Sequence, residues 1–150
     1  YDVRPDMLTT AKALGAGFPC AALLMSDEVA SGLSKNDLGT TFGGGPMACA
    51  LIEAVVDIIE TEGLLENIRR LSALMRRSCV IGPVTGMQGA GFLTGLRTGR
   101  PAQEVQQQLL ERNILTGTSA DPHVVRILAP YILGEEHVRQ LHAALADIGP

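Results

Sequence analysis

The sequence predicts an α/β fold, because short apolar runs bounded by turn residues alternate with stretches whose apolar residues recur at helical spacing. Composition agrees: 46% hydrophobic and 19% charged residues suit a globular chain, and 150 residues suit an ordinary domain. No internal repeat or low-complexity segment interrupts the pattern.

Met7 to Thr10 and Ala21 to Met25 are short apolar runs between turn residues and read as strands. From Pro46, the residues Met47, Leu51, Ala54, Val55, Ile58 and Ile59 fall on one helical face, and the helix ends before Gly63. Leu64, Ile68, Leu71 and Met75 continue a second helix, with Arg69, Arg70, Arg76 and Arg77 on its wetter faces. Val80 to Val84 and Phe92 to Leu96 are strand candidates, and the glycines between them favour a tight connection or a bulge. Pro101 opens a helix carrying Val105 and Leu109, and His123 to Leu128 reads as a further strand. Glu135 to Ile148 closes the chain with Val138, Leu141, Leu145 and Ile148 on one face. Glu60-Thr-Glu-Gly63 is polar and glycine-broken, which places a boundary between residues 1–63 and 64–150.

Several function classes are disfavoured. A net charge of −4, with only 12 Lys and Arg spread along the chain, gives no nucleic-acid footprint. No run reaches the roughly 18 apolar residues that mark a membrane span. Cys20, Cys49 and Cys79 lack C-x-x-C spacing and sit among apolar neighbours, so they read as buried free thiols. Their odd number fits a reducing, cytoplasmic compartment. His137 and His142 are spaced to point apart on the last helix and His123 lies in a loop, so no metal site is expected.

Three places carry candidate chemistry. Lys12 is flanked by Ala11 and Ala13 and backed by Thr9 and Thr10. It reads either as a snorkelling lysine at a strand end or as a partly desolvated amine able to attack an aldehyde. Gly39-Thr-Thr-Phe-Gly-Gly-Gly-Pro46 combines three glycines that permit close backbone approach, two hydroxyls suited to phosphate oxygens, and a proline suited to a helix start. Arg126 lies in Val124-Val-Arg-Ile-Leu128, where alternation aims it opposite Val125 and Ile127. It reads as a structural ion-pair residue or as a fork for a carboxylate.

Taken together, the lysine segment and the glycine turn resemble the pyridoxal-phosphate-dependent class III aminotransferases of fold type I. The acetylornithine branch is nearest, with the ornithine and 4-aminobutyrate branches beside it. Val3-Arg-Pro-Asp6, Ala21-Ala-Leu-Leu-Met25, Glu60 to Asn67, Thr85 to Gly95 and Ile114 to Leu133 extend the resemblance over nearly the whole chain, in the family's order. Two departures stand out: Gly45 replaces the family's usual asparagine, and Ala129-Pro-Tyr131 replaces Pro-Pro followed by an aliphatic residue.

The resemblance implies that residues 1–63 end a cofactor-binding large domain, and that 64–150 form a small C-terminal α/β sandwich. It implies that Lys12 attaches pyridoxal 5'-phosphate and serves as general base, that Thr41 binds the cofactor phosphate, and that Thr40 lines the substrate pocket. Both threonines would reach across a homodimer interface, so the active sites would be shared. Arg126 would hold the α-carboxylate of the amino donor and of 2-oxoglutarate. The implied reaction moves the terminal amino group of N2-acetylornithine to 2-oxoglutarate, a step of arginine biosynthesis. None of the aspartates has the look of a buried strand-end acid facing the pyridine nitrogen, and aromatic residues are few. The chain is therefore expected to be part of a longer enzyme and inactive alone. A catalytically silent α/β binding module that retains the scaffold is the alternative from another class.

Overall fold

The computed structural model describes residues 2–150. The chain divides into two compact units, one ending at Glu62 and the other running Gly63–Pro150.

In the first unit, β1 (Met7–Thr10) pairs antiparallel with β2 (Ala22–Met25), Met7 opposite Met25 and Thr10 opposite Ala22. Between them a single 3-10 turn spans Lys12–Gly15. Helix α1 (Asp27–Ser31) escaped the pattern reading because it is one turn long. Its start is nonetheless written locally: the Ser26 hydroxyl accepts from the Val29 N–H at 3.4 Å. Asp27 and Glu28 then sit at the positive end of the helix. Helix α2 (Pro46–Thr61) opens on its proline, as expected for a residue without an N–H to satisfy, and packs against the 3-10 turn. Gly15 is the one buried residue among the described residues of this unit. Adjacent strand residues that point to opposite faces, Met7 with Leu8 and Leu23 with Leu24, are all exposed. The unit thus has apolar strands with both faces uncovered and no core of its own.

The second unit holds the core. Its elements are α3 (Leu64–Ser78), β3 (Val84–Ala90), β4 (Leu93–Thr98), α4 (Ala102–Leu110), β5 (Gly117–Thr118), β6 (Val124–Leu128) and α5 (Glu135–Ile148). The strands form one antiparallel sheet in the order β3-β4-β6-β5. Leu71 and Met75 of α3, Val105 and Leu109 of α4, and Val138, Leu141 and Leu145 of α5 bury against Leu96, Val125 and Ile127 of the sheet. Each such side chain contributes about 1.5–3 kcal/mol by leaving water, and the cluster holds the three helices on one face. The other face is left to residues that alternate out of the core, among them Leu93 and Arg126.

The strand expected at Val80 to Val84 is displaced: β3 runs instead through the glycines, Val84–Ala90. Cys79 ends α3, and the chain then turns at Gly82, which adopts φ 58; a Cβ there would strike the Leu145 carbonyl oxygen. The strand can begin only after that turn. A register shift between Val84 and Gly86 supplies the bulge. Gly91 and Phe92 make a two-residue hairpin with Gly91 at φ 55, the left-handed position such turns require. Strand β5 is too short at two residues to leave a periodic signal.

The cysteines correct one expectation, since Cys79 is buried but Cys20 is only half-buried and Cys49 is exposed. Burial raises the Cys79 thiol above its ordinary range, opposed by the Ser78 hydroxyl beside it. Cys49 is exposed because it lies on α2, which buries no residue in its unit.

Candidate active site

Lys12 begins the 3-10 turn directly after β1 and has φ 61. A non-glycine residue in the left-handed region costs on the order of 1–3 kcal/mol and persists only where its surroundings enforce it. Such strain clusters at sites where a side chain must be aimed. The apolar flanks do not bury the amine: Ala11, Lys12 and Ala13 are all exposed, so the residue's sequence neighbours do not take it out of water. Among the described residues no acid pairs with Lys12. The ends of β1 and β2 beside it frame a concavity of about 380 Å³ lined by Thr9, Thr10, Ala11, Ala21, Ala22 and Leu23.

The glycine turn folds as a loop of tight turns. Gly43 N–H donates to the Thr40 carbonyl at 3.2 Å and Gly45 N–H to the Phe42 carbonyl at 3.3 Å, with Gly44 at φ 67. Thr40 and Thr41 are exposed, and Phe42 at their side is 88% exposed. Gly45 caps α2 without a side chain, so no side-chain oxygen occupies the first-turn N–H groups. The departure at Gly45 therefore leaves the positive end of a 16-residue helix open beside two free-standing threonines.

In the second unit Arg126 sits in the middle of β6, exposed, while Val125 and Ile127 on either side are buried. The alternation read from the sequence holds. No acid pairs with Arg126 among the described residues, so the ion-pair reading finds no partner within this chain. Arg97 of β4 is likewise exposed and without an acid partner among the described residues, while other arginines of the unit are engaged. Arg70 and Arg139 hold Glu135 at 3.1 and 2.6 Å, which lowers that carboxyl below its usual range, Arg139 foremost. Arg112 bonds Asp147 at 2.6 Å, and Arg100, half-buried, bonds Gln108 at 2.8 Å.

Lys12, Thr40 and Thr41 thus share the first unit and Arg126 belongs to the second. The histidines serve the fold: His137 Nδ1 accepts from the Gly134 N–H at 3.1 Å and His142 Nδ1 lies 2.7 Å from the Ser78 carbonyl. Among the described residues no cluster of His, Cys, Asp or Glu could hold a metal, and no helix is long and apolar enough to cross a membrane. Sequence reasoning missed the left-handed conformation of Lys12, which leaves no local signature in a non-glycine residue.

Comparison with known proteins agrees in sequence and in fold. The family Aminotransferase class-III matches residues 1–148. The acetylornithine aminotransferase of Methanocaldococcus jannaschii is 35% identical over 99% of this chain, and that of Streptomyces coelicolor is 40% identical over 97%. The chain spans 38% and 37% of the lengths of those two proteins. Among solved structures, acetylornithine aminotransferase from Elizabethkingia anophelis superposes with a TM-score of 0.84 at 26% identity, over 97% of this chain and 42% of that one. Ornithine aminotransferase from Toxoplasma gondii superposes at 0.86 with 25% identity, over 98% of this chain and 37% of that one. A family match over residues 1–148 and relatives 35–40% identical along nearly the whole chain place it among the class III aminotransferases, to which it belongs.

Proposed function

We propose that this chain is the cofactor-lysine and carboxylate-binding portion of an aminotransferase that moves the terminal amino group of N2-acetylornithine to 2-oxoglutarate, in arginine biosynthesis in the cytoplasm. It works within a longer polypeptide and as a homodimer. Residues 1–63 complete a cofactor-binding large domain, and residues 64–150 are the small domain. The uncovered apolar strands of the first unit and the chain's coverage of 38% of a relative's length both support a larger whole.

Class III membership implies pyridoxal phosphate, and the residues present fit it. Lys12 offers an exposed amine with no acid partner among the described residues, and the α2 start offers open N–H groups beside the Thr40 and Thr41 hydroxyls. When bound, the cofactor supplies the electron sink for the carbon that bears the transferred amine. Lys12 Nζ would hold it covalently and, once freed, would take and return the proton of that carbon. Thr41 donates to the cofactor phosphate of the partner subunit's site, and Thr40 lines the pocket there. Arg126 holds the substrate carboxylate with two parallel N–H bonds. One observation carries the reading beyond the family: a strand-centre arginine exposed on a sheet face with no acid in reach among the described residues.

Donor preference in the full-length, cofactor-loaded protein tests the substrate. With 2-oxoglutarate as acceptor, N2-acetylornithine should give the highest kcat/KM of a set that includes ornithine and 4-aminobutyrate. A higher value for either of the others moves the chain to that branch, and no turnover with any favours a silent scaffold. The shared site has its own test. Subunits carrying Lys12→Ala and Thr41→Ala, each weak or inactive alone, should recover part of the wild-type rate when mixed, because one of the two sites in a heterodimer is then intact. Verified heterodimers without recovered activity place Thr41 and Lys12 in the same subunit's site.

A further inference from the structure

Arg126 lies in a row of four residues that crosses the sheet at one register: Gln88 on β3, Gly95 on β4, Arg126 on β6 and Gly117 on β5. The arginine is therefore flanked by glycine on both neighbouring strands. Glycine weakens a strand, and where it persists it marks a bulge, a bend or a close approach. Neither Gly95 nor Gly117 has a left-handed φ, so the backbone does not require glycine at either place. Each is there for space, and the space is used differently. A Cβ at Gly95 would lie 2.8 Å from Val124 Cγ1 and 3.0 Å from Gln88 Cγ, so that gap is filled by packing. A Cβ at Gly117 would lie 3.3 Å from both Nε and Nη2 of Arg126 and 3.7 Å from Cζ. The Nε–Nη2 edge of the guanidinium thus borders the space that a side chain at 117 would take.

Nothing else among the described residues holds that guanidinium, since it has neither an acid partner nor a side-chain hydrogen bond. Its plane is set by the surface beside it, and a planar fork meets a carboxylate with both prongs only when that plane is right. We infer that Gly117 is the positioning residue for Arg126: by lacking a side chain it admits the Nε–Nη2 edge of the guanidinium beside β5, which leaves the Nη1–Nη2 edge aimed for two-pronged carboxylate binding. The inference rests on the reading of Arg126 as the carboxylate fork and adds the device that orients it. A methyl at position 117 displaces the edge that carries Nε and Nη2 by a few tenths of an ångström, a fraction of the 1 Å misplacement that costs on the order of 100-fold, so a loss of about 3- to 10-fold is expected.

The test uses the full-length, cofactor-loaded protein. Gly117→Ala should weaken binding of glutarate, an unreactive dicarboxylate followed by calorimetry, by about 3- to 10-fold. It should raise KM for N2-acetylornithine and 2-oxoglutarate with kcat less affected. The decarboxylated donor, the same acetylated diamine without its carboxylate, should react as with wild type. In an Arg126→Ala background Gly117→Ala should have no further effect on glutarate binding, because the methyl acts through a group already removed. Unchanged glutarate affinity in Gly117→Ala, an equal loss with the decarboxylated donor, or a Gly95→Ala variant as impaired toward glutarate would each overturn the inference. Should Arg126→Ala itself leave glutarate binding intact, the carboxylate reading of Arg126 fails. Should Arg126→Ala weaken binding while Gly117→Ala does not, only the role of Gly117 is lost. Gly117→Ala should keep a denaturant midpoint near that of the wild type, because its methyl meets only the exposed Arg126 side chain, and a variant that fails to fold overturns the inference.

Discussion

Lys12→Ala in the full-length enzyme is expected to abolish turnover and leave the fold in place. The side chain is exposed, so its removal opens no cavity and breaks no ion pair among the described residues. The loss is chemical, since no other lysine lies near: the chain's second, Lys35, is in the exposed stretch after α1. Borohydride treatment followed by peptide mass analysis should find pyridoxal phosphate fixed to the Lys12 peptide of the wild type and none on the variant. The strained backbone adds a second expectation. At φ 61 a glycine is relieved of a penalty that lysine bears, so Lys12→Gly should be equally inactive yet more stable by about 1 kcal/mol. Denaturant midpoints of the two variants decide this. A near-wild-type rate in either variant would remove Lys12 from the chemistry, and a less stable Lys12→Gly would mean that the turn is not strained.

Arg126→Lys is the second large effect. The charge survives but the fork does not, and each charge-assisted hydrogen bond is worth roughly 1.5–3 kcal/mol. Both half-reactions should lose on the order of 10- to 100-fold in kcat/KM, because about 1.4 kcal/mol is a factor of ten. Cofactor loading should be untouched, since Arg126 is assigned no role in holding the cofactor. Stopped-flow measurement of each half-reaction separates this from a structural role. Lower stability with both half-reactions intact would make Arg126 an ion-pair residue of the assembled protein.

The parts of the site differ in how legible they were. Arg126 could be read because a strand has a period of two, and Val125 and Ile127 fix which face is buried. The start of α2 could be read because proline is tolerated at a helix's first position and penalised in its interior. The β3 strand was misplaced because its residues, Val84 to Ala90, include Gly86 and Gly89 and look like a connection. They form a strand because β4 pairs with them across the Gly91 hairpin and Met87 packs on the core. The apolar flanks of Lys12 suggested burial, but a residue's covering comes from what packs over it and not from its neighbours in sequence.

By itself the sequence determined the α/β class, the four longer helices with their apolar faces, and the identities of the lysine, the glycine turn and the arginine, together with the family they resemble. Those are encoded locally, in periodicity, in turn residues and in the chemistry of single side chains. Tertiary structure alone decided that Lys12 takes a left-handed backbone, that β5 exists, and that Gly117 comes to lie beside the Arg126 guanidinium. Gly117 and Arg126 meet only through cross-strand register, and no window of sequence contains that register.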